Sequence, residues 1–512
     1  MVCEPVAVVH HGRTQGWVYP SHGPGWTRPT EPIDREPTDI MLKAVALLLH
    51  GVVGPVAAAH ALMYKRDPRA AFAWVVLSLL VPVAGPVLYY AFGINRVRTK
   101  ARQLHGRPTY WFRLPYEGAD ALAVAVAAMP AGETVVEAIA RVSQAVSGRP
   151  LTEGNQVRPL FNGEEAYPQM LAAIDSATRS VYLMTYILEN DRTGRRFLSA
   201  LEAAQRRGVE VRVLLDGFGD WYSLPRSSRQ ARRRGLRVKR FLPPRLVPPA
   251  LHVNLRNHRK VLVVDGEVGF TGGMNIGDRH LATTRRGCQD VHFAIAGPVV
   301  RDLERLFADN WRFAAKEEIA LRAAAPATHG SARCRVISTG PDDDLDKLVT
   351  VLVGAISAAR HTIHWVTPYF LPPREVIAAL QVAALKGVRV TILLPERSNL
   401  PFVHWATRNM LWELLQRGVA VYYQPPPFAH TKLFVVDGEY LQVGSANVDP
   451  RSLRLNFEMA LEVFDRPLVE SLTRHVERLR ERSTAVSLHE VDSRSVPVRL
   501  RDAFCWLFSP FL

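Results

Sequence analysis

An eight-residue pattern, His-x-Lys followed by four residues and an Asp, occurs twice: His258, Lys260 and Asp265, then His430, Lys432 and Asp437. Lysine is scarce, nine residues among 64 Lys+Arg, so chance supplies roughly one hundredth of such a match in the whole chain. A lone His-x-Lys is ordinarily a surface or core pair, and duplication reverses that reading. The surroundings repeat as well. VLVV precedes Asp265 and Gly266, LFVV precedes Asp437 and Gly438, and each copy runs on to a turn, Gly272 to Asn275 or Gly444 to Asn447. Apolar β-branched runs bounded by turn residues predict strand, turn, strand, turn in both places.

The repeat extends upstream. Residues 173–186 parallel 355–369, and LEAAQRRGVEVRVLL at 201–215 parallels LQVAALKGVRVTILL at 380–394. The second pair reads as helix, C-terminal glycine (Gly208, Gly387) and strand. Strands alternating with amphipathic helices predict an α/β layered domain, and the duplication predicts two in tandem with the active site between them.

In a strand, residues two apart share a face, so each His and Lys point the same way. A near-neutral imidazole can attack phosphorus or shuttle a proton, and a fixed lysine charge beside it can hold phosphate oxygens. Asn275 and Asn447 can donate to the same oxygens, and Asp290 and Glu458 can fix the imidazole tautomers. Asp265 and Asp437 complete the motif, but each precedes a glycine, which fits a turn at least as well as chemistry. His252, His280, His292, His361, His364 and His404 have no repeated counterpart and read as structural, although His292 shares a strand face with Asp290 and can line the site. No Cys/His cluster has metal-ligand spacing, so no metal or other cofactor is expected.

Leu42 to Met63 and Ala70 to Ile94 are apolar stretches of about spanning length, joined by a short basic link at residues 64–69. They predict a transmembrane helical hairpin, with Trp74 and the Tyr89 and Tyr90 pair near opposite interfaces. Basic residues Arg96, Arg98, Lys100 and Arg102 tilt the orientation toward a cytoplasmic catalytic region. The formal net charge of +16 and pI near 10.0 imply attraction to an anionic surface, lipid or nucleic acid. The densest basic run, Arg226 to Arg240, reads as helix then strand, either a solvated face or a headgroup contact. The apolar end, Phe504 to Leu512, reads as an interfacial anchor or a packed strand. Four cysteines give no disulfide framework.

On these residues the chain resembles the phospholipase D superfamily, and in particular bacterial cardiolipin synthases, in which two transmembrane segments precede two such domains. The resemblance covers about residues 40 to 480. It rests on NHRKVLVVDG at 257–266 with FTGGMNIG at 270–277, and on HTK at 430–432 with VGSAN at 443–447 and Asn456 to Glu458. DGFG at 216–219, FLPP at 241–244 and TPYF at 367–370 fit as well. Cys288 stands where the family usually has tryptophan, and Thr431 where alanine is common; neither change removes a catalytic group.

The resemblance implies two tandem phospholipase D-like α/β/α sandwich domains behind an N-terminal transmembrane hairpin. Expected boundaries are a disordered leader at 1–40, the hairpin at 41–95, a linker at 96–153, domains at 154–325 and 333–483, and a tail at 484–512. The implied reaction moves a phosphatidyl group from one phosphatidylglycerol to another through a phosphohistidine and releases glycerol. His258 is the expected nucleophile. Lys260, Lys432, Asn275, Asn447 and Ser445 would bind substrate, with Asp290 orienting His258 and Glu458 orienting His430. The implied location is the bacterial inner membrane, multi-pass, with phosphatidylglycerol and anionic lipids as partners and no nucleic acid. A membrane phosphodiesterase using water, or a scaffold without catalysis, are the alternative readings.

Overall fold

The computed structural model describes residues 37–65, 68–93, 134–244, 255–321, 326–341 and 346–509. They fall into two compact units, residues 1–95 and 96–512. Several expectations fall wholly or mostly outside the described residues. These are the leader up to residue 36, Arg66 and Asp67 of the link, His252, the basic residues 96–102, most of the linker, residues 322–325 between the repeats, and residues 510–512.

The first unit contains α1 (Pro37–Tyr64), α2 (Pro68–Leu80) and α3 (Ala84–Leu88), followed by a π turn over Tyr89–Gly93. Among the described residues no helix is long and apolar enough to cross a membrane. The second expected span is not one helix. Pro82 lacks a donor, Val83 takes φ 60°, and the 13-residue α2 extends only about 20 Å. The chain therefore folds back within this unit. Tyr89 is buried with Ala57 and Ala61, its hydroxyl is 2.7 Å from His60 Nδ1, and its ring lies 5.4 Å from Trp74. Trp74 and Tyr89 thus share one cluster rather than opposite interfaces.

The second unit is organised by one 15-stranded sheet. Its first half supplies β1 (Thr152–Phe161), β2 (Ser180–Thr185), β3 (Glu210–Asp216), β4 (Arg237–Phe241), β5 (Val261–Val264), β6 (Val268–Gly272) and β8 (Val291–Ala296). The short β7 (Cys288–Gln289) lies outside the sheet. The second half supplies β9 (Ala332–Thr339), β10 (Thr362–Val366), β11 (Arg389–Pro395), β12 (Ala420–Gln424), β14 (Leu433–Val436), β15 (Tyr440–Gly444), β16 (Glu458–Phe464) and β17 (Thr484–Ala485), with β13 (Phe428–Ala429) apart. Outward from the junction the order is β1-β8-β6-β5-β2-β3-β4 on one side and β9-β16-β15-β14-β10-β11-β12 on the other. Seven strands match one for one, β17 adds an edge strand beyond β12 without a counterpart, and the halves join through antiparallel β1 and β9. Sequence duplication has become structural duplication: the two tandem α/β halves are joined into one continuous sheet.

Helices of the second unit are α4 (Val135–Ser147), α5 (Asn162–Ser176), α6 (Arg192–Arg206), α7 (Ser227–Arg233), α8 (Val300–Ala315), α9 (Lys347–Ala358), α10 (Arg374–Leu385), α11 (Pro401–Leu415), α12 (Arg466–Glu481), α13 (Leu488–Asp492) and α14 (Val496–Leu507). The glycine stops read from the sequence hold. Past α6 and α10, Gly208 and Gly387 adopt φ of 90° and 93°. The next amides, Val209 and Val388, reach back to Ala204 and Ala383 at 3.2 and 3.0 Å, as in a Schellman cap. Helices α5 and α6 cover one face of the first half and α9, α10 and α11 one face of the second. The remaining faces share a single core with α8 and α12, in which Val263 and Phe293 join Val435 and Leu461. The chain end is helix, not strand: α14 packs on α11 and buries Cys505 and Asp502, while Phe504 stays exposed.

Buried Arg259 binds the halves together, and a second buried charge pair, Arg335 and Glu462, ties β9 to β16 and to α4 within the second half. Arg259 donates to the Glu458 carbonyl at 2.9 Å, the Asn310 side chain at 2.9 Å and the Thr339 carbonyl at 3.0 Å. Arg335 and Glu462, both fully buried, approach to 3.3 Å, and Glu462 also accepts from Ser143 at 2.6 Å and Tyr440 at 2.8 Å. Removing one charge strands the other, so Glu462→Ala should cost about 3–5 kcal/mol. Thermal unfolding of the purified protein tests this. A midpoint within a degree or two of wild type would show that the pair is not holding β9, β16 and α4 together.

Candidate active site

Both motif histidines sit just ahead of a buried strand, and each is pinned by backbone from the other half. The His258 amide donates to the Phe457 carbonyl at 3.0 Å, and the Phe457 amide to the Arg256 carbonyl at 2.8 Å. On the other side β7 pairs in parallel with β13, and the His430 amide donates to the Gln289 carbonyl at 2.7 Å. The site is thus assembled only where the halves meet.

These crossings exchange the orienting carboxylates. His258 Nδ1 lies 3.1 Å from Glu458, and His430 Nδ1 lies 2.7 Å from Asp290. The expected assignment, Asp290 to His258 and Glu458 to His430, is therefore reversed. Residues 457 and 289, immediately before the two acids, are the ones that bond to the opposite histidine strand, so each acid is delivered across the junction.

The two pairs are not equivalent. Ser445, expected to bind substrate, is fully buried and donates its hydroxyl to Glu458 at 2.5 Å, while its carbonyl lies 3.1 Å from His258 Nδ1. Through that hydroxyl bond it steadies the carboxylate. Its counterpart is Gly273, where a Cβ would stand 2.8 Å from an Asp290 oxygen and 3.2 Å from Lys432 Nζ. A serine fits beside the glutamate in one half; only glycine leaves room for the aspartate in the other.

Burial pushes both imidazoles below their usual pKa, His430 the further, with Lys432, Lys260 and His258 adding to the effect. Both are neutral near pH 7 and can act as nucleophile or base. Burial opposes the Glu458 charge, but His258, Lys260 and Ser445 outweigh it and hold the carboxyl below its ordinary range. Asp290 is raised by burial, only partly offset by Lys432 and His280. The His258 pair thus keeps the more anionic partner.

Lys260 Nζ donates to its own histidine's carbonyl at 2.5 Å, and Lys432 does the same at 2.8 Å while lying 3.3 Å from both ring nitrogens of His430. Burial lowers the Lys260 pKa to about 7 and depresses Lys432 as well. An arriving phosphate favours the charged form of both. The Asn275 carboxamide oxygen accepts from the Ile187 amide at 3.2 Å, and the buried Asn447 carboxamide oxygen has no partner. Asp265 and Asp437, counted with the catalytic motif, are elsewhere. Both take φ 53°. Asp265 accepts from the backbone of Thr178, Arg179 and Ser180, and Asp437 from Arg360, His361 and Thr362. They are turn anchors that fix the motif strand to its neighbour.

Several site residues escaped the sequence reading. His280, read as structural, brings its ring within 5.5 Å of His430; its Nε2 accepts from the Asn275 amide at 3.3 Å and its Nδ1 lies 3.3 Å from Cys288 Sγ. The Tyr186 ring is 5.0 Å from His258 and its hydroxyl accepts from Arg256 at 2.7 Å. Buried Asp216, raised to about 6 by burial, accepts from the Asn257 amide at 2.8 Å and so sets the strand that carries His258. Tyr186 and Tyr369 follow the corresponding strands β2 and β10, a repeat that could have singled them out. His292 is buried beside Gly272 with its Nδ1 unpartnered, its pKa lowered to about 4 by burial.

His280, Asp290 and His430 offer ligand atoms within 4.8 Å of one another, a possible metal trio. Lys432 stands against His430, and Asp290 already engages its Nδ1, so a metal there would have to displace a fixed ammonium charge. The chain's own cations occupy the electrostatic role.

Paired neutral imidazoles with buried lysines form a site that could hold a phosphodiester. Comparison with known proteins gives the family. A profile described as "Cardiolipin synthase, PLD-like domain" matches residues 170–311 and 352–480, and one described as "Phospholipase_D-nuclease N-terminal" matches 55–93. The chain is 30% identical to the cardiolipin synthase of Geobacillus kaustophilus over 454 residues, 88% of this chain and 90% of that one. It is 29% identical to that of Oceanobacillus iheyensis over 458 residues, 88% and 95% of the two chains. The crystal structure of phosphatidylserine synthase from Haemophilus influenzae superposes with a TM-score of 0.56 at 16% identity, over 73% of this chain and all of that one, a likeness of fold. The chain belongs to the phospholipase D-like cardiolipin synthase family, whose members are phosphatidyltransferases.

Proposed function

We propose that the protein joins two phosphatidylglycerol molecules into cardiolipin and releases glycerol. The observation that carries the mechanism is the crossed pairing, which sets two differently tuned imidazoles in one site with two lysines. His258, backed by ionised Glu458, attacks phosphorus; the bond to the glycerol oxygen breaks, and His430 gives that oxygen a proton. Negative charge brought by the phosphodiester favours protonated His430 before this step. In the second step neutral His430 takes the proton of an acceptor hydroxyl, whose oxygen attacks phosphorus as the bond to His258 breaks. Lys260 and Lys432, with the side chains of Asn275 and Asn447, hold the phosphoryl oxygens.

We place the protein in the bacterial inner membrane as a multi-pass protein through its first unit, with the catalytic unit cytoplasmic. Exposed Val52, Val56, Leu62, Phe72 and Leu80 of that unit support lipid contact. Product analysis after supplying labelled phosphatidylglycerol to the reconstituted protein tests the reaction. Cardiolipin with an equal amount of glycerol is the expected result; phosphatidic acid as the dominant product would establish hydrolysis in its place.

A further inference from the structure

The loops that follow β3 and β11 occupy equivalent positions in the two repeats, and both carry exposed apolar side chains. In the first, Trp221, Tyr222 and Leu224 are 52%, 53% and 85% exposed; in the second, Leu400 is 45% exposed and Phe402, in the first turn of the α11 helix that the loop enters, is 55% exposed. Exposed aromatic and leucine side chains grouped in this way mark a contact surface.

Both loops are wired to the catalytic centre. The Tyr222 ring lies 6.2 Å from Tyr186, whose ring lies 5.0 Å from His258. Asn399 accepts from the Tyr369 hydroxyl at 2.7 Å; the Tyr369 ring is 6.4 Å from Phe428, itself 6.0 Å from His430. The two chains of contacts end on the two histidines of one site.

Charge surrounds the first loop. Arg226 stacks on Trp221 at 3.8 Å, and Arg226 and Arg232 are near enough to Arg240 to depress it further, after burial and against Asp220. Arg229, Arg232 and Arg233 are exposed beside it. Aromatic rings with arginines at their rim match the boundary between acyl chains and anionic headgroups.

We propose that residues 217–226 and 396–402 form a two-loop wedge that enters the surface of an anionic bilayer and opens the catalytic site directly onto the headgroup layer. The proposal rests on the lipid-transfer reading above. A two-chain substrate then need not leave the bilayer completely, since the phosphodiester meets His258 and His430 behind the wedge while its acyl chains stay among their neighbours.

The test uses the full chain in phosphatidylglycerol-containing liposomes, with a Cys3→Ser background because Cys288, Cys334 and Cys505 are buried. Leu224→Cys carries an environment-sensitive fluorophore. Arg206→Cys is the control, on the exposed end of α6 that leads into the start of β3, the strand end away from the loop. The emission from position 224 should shift to the blue and be quenched by acyl-chain spin-labelled lipid, and that from 206 should not. Equal, water-like emission at both positions would overturn the wedge. A Trp221→Ala, Leu224→Ala variant should lose about tenfold in turnover on liposomes, yet turn over dispersed short-chain phosphatidylglycerol at the wild-type rate. Unchanged turnover on liposomes would also overturn it. Lipid quenching at 224 without cardiolipin formation would leave the wedge standing and remove the synthase reading.

Discussion

Replacing His258 by alanine should reduce cardiolipin formation by about four orders of magnitude or more and leave no phosphorylated protein after acid-free quenching of a labelled reaction. His430→Ala should be as inactive with phosphatidylglycerol, whose glycerol leaves only when protonated. The two variants part with a donor bearing a phenolate leaving group, which needs no proton. His430→Ala then forms the phosphohistidine and accumulates it, because the base for the acceptor is missing, whereas His258→Ala still forms none. A labelled intermediate in His258→Ala and none in His430→Ala would reverse the roles. Neither substitution should unfold the protein, since both rings sit at the site rather than in the three apolar cores.

The crossed pairing makes the second large prediction. Glu458→Gln and Asp290→Asn keep the shape of each side chain and remove its charge, and loss of the orienting carboxylate from a catalytic imidazole costs about 10²–10⁴ in rate. Glu458 serves the nucleophile in the other half, so Glu458→Gln should slow formation of the phosphohistidine. Asp290 serves the proton carrier, so Asp290→Asn should let the phenolate donor react normally and delay transfer to the acceptor. Single-turnover kinetics separates the two steps. If Asp290→Asn slowed the first step and Glu458→Gln the second, each acid would be acting on the histidine of its own half, and the crossed reading would fail.

Much of this site was legible because it is written locally and twice. His and Lys two apart before an apolar run, and a helix stopped by Gly208 or Gly387, need only short-range rules. Partner choice was not legible. Asp290 and Glu458 each follow their own motif, and near symmetry conceals which histidine each will meet; the exchange arises from Asn257 bridging to Phe457 and from β7 pairing with β13, contacts between distant segments. Ser445 misled for a related reason, since a hydroxyl in a glycine-rich turn faces substrate or protein depending on what lies behind it, and here Glu458 does. Asp265 and Asp437 looked catalytic by membership in the motif, although the glycine after each was the better guide. In the first unit, Pro82, Gly85 and Pro86 were visible breakers inside a stretch judged by its apolar length.

Proteins are made from one end, and here the order has a chemical result. His258 precedes Glu458 by two hundred residues, and until Glu458 is made the imidazole has neither its carboxylate nor the strand that positions it. The first half therefore emerges disarmed. The orienting pair of the first histidine is complete only once both halves of the repeat exist and have met.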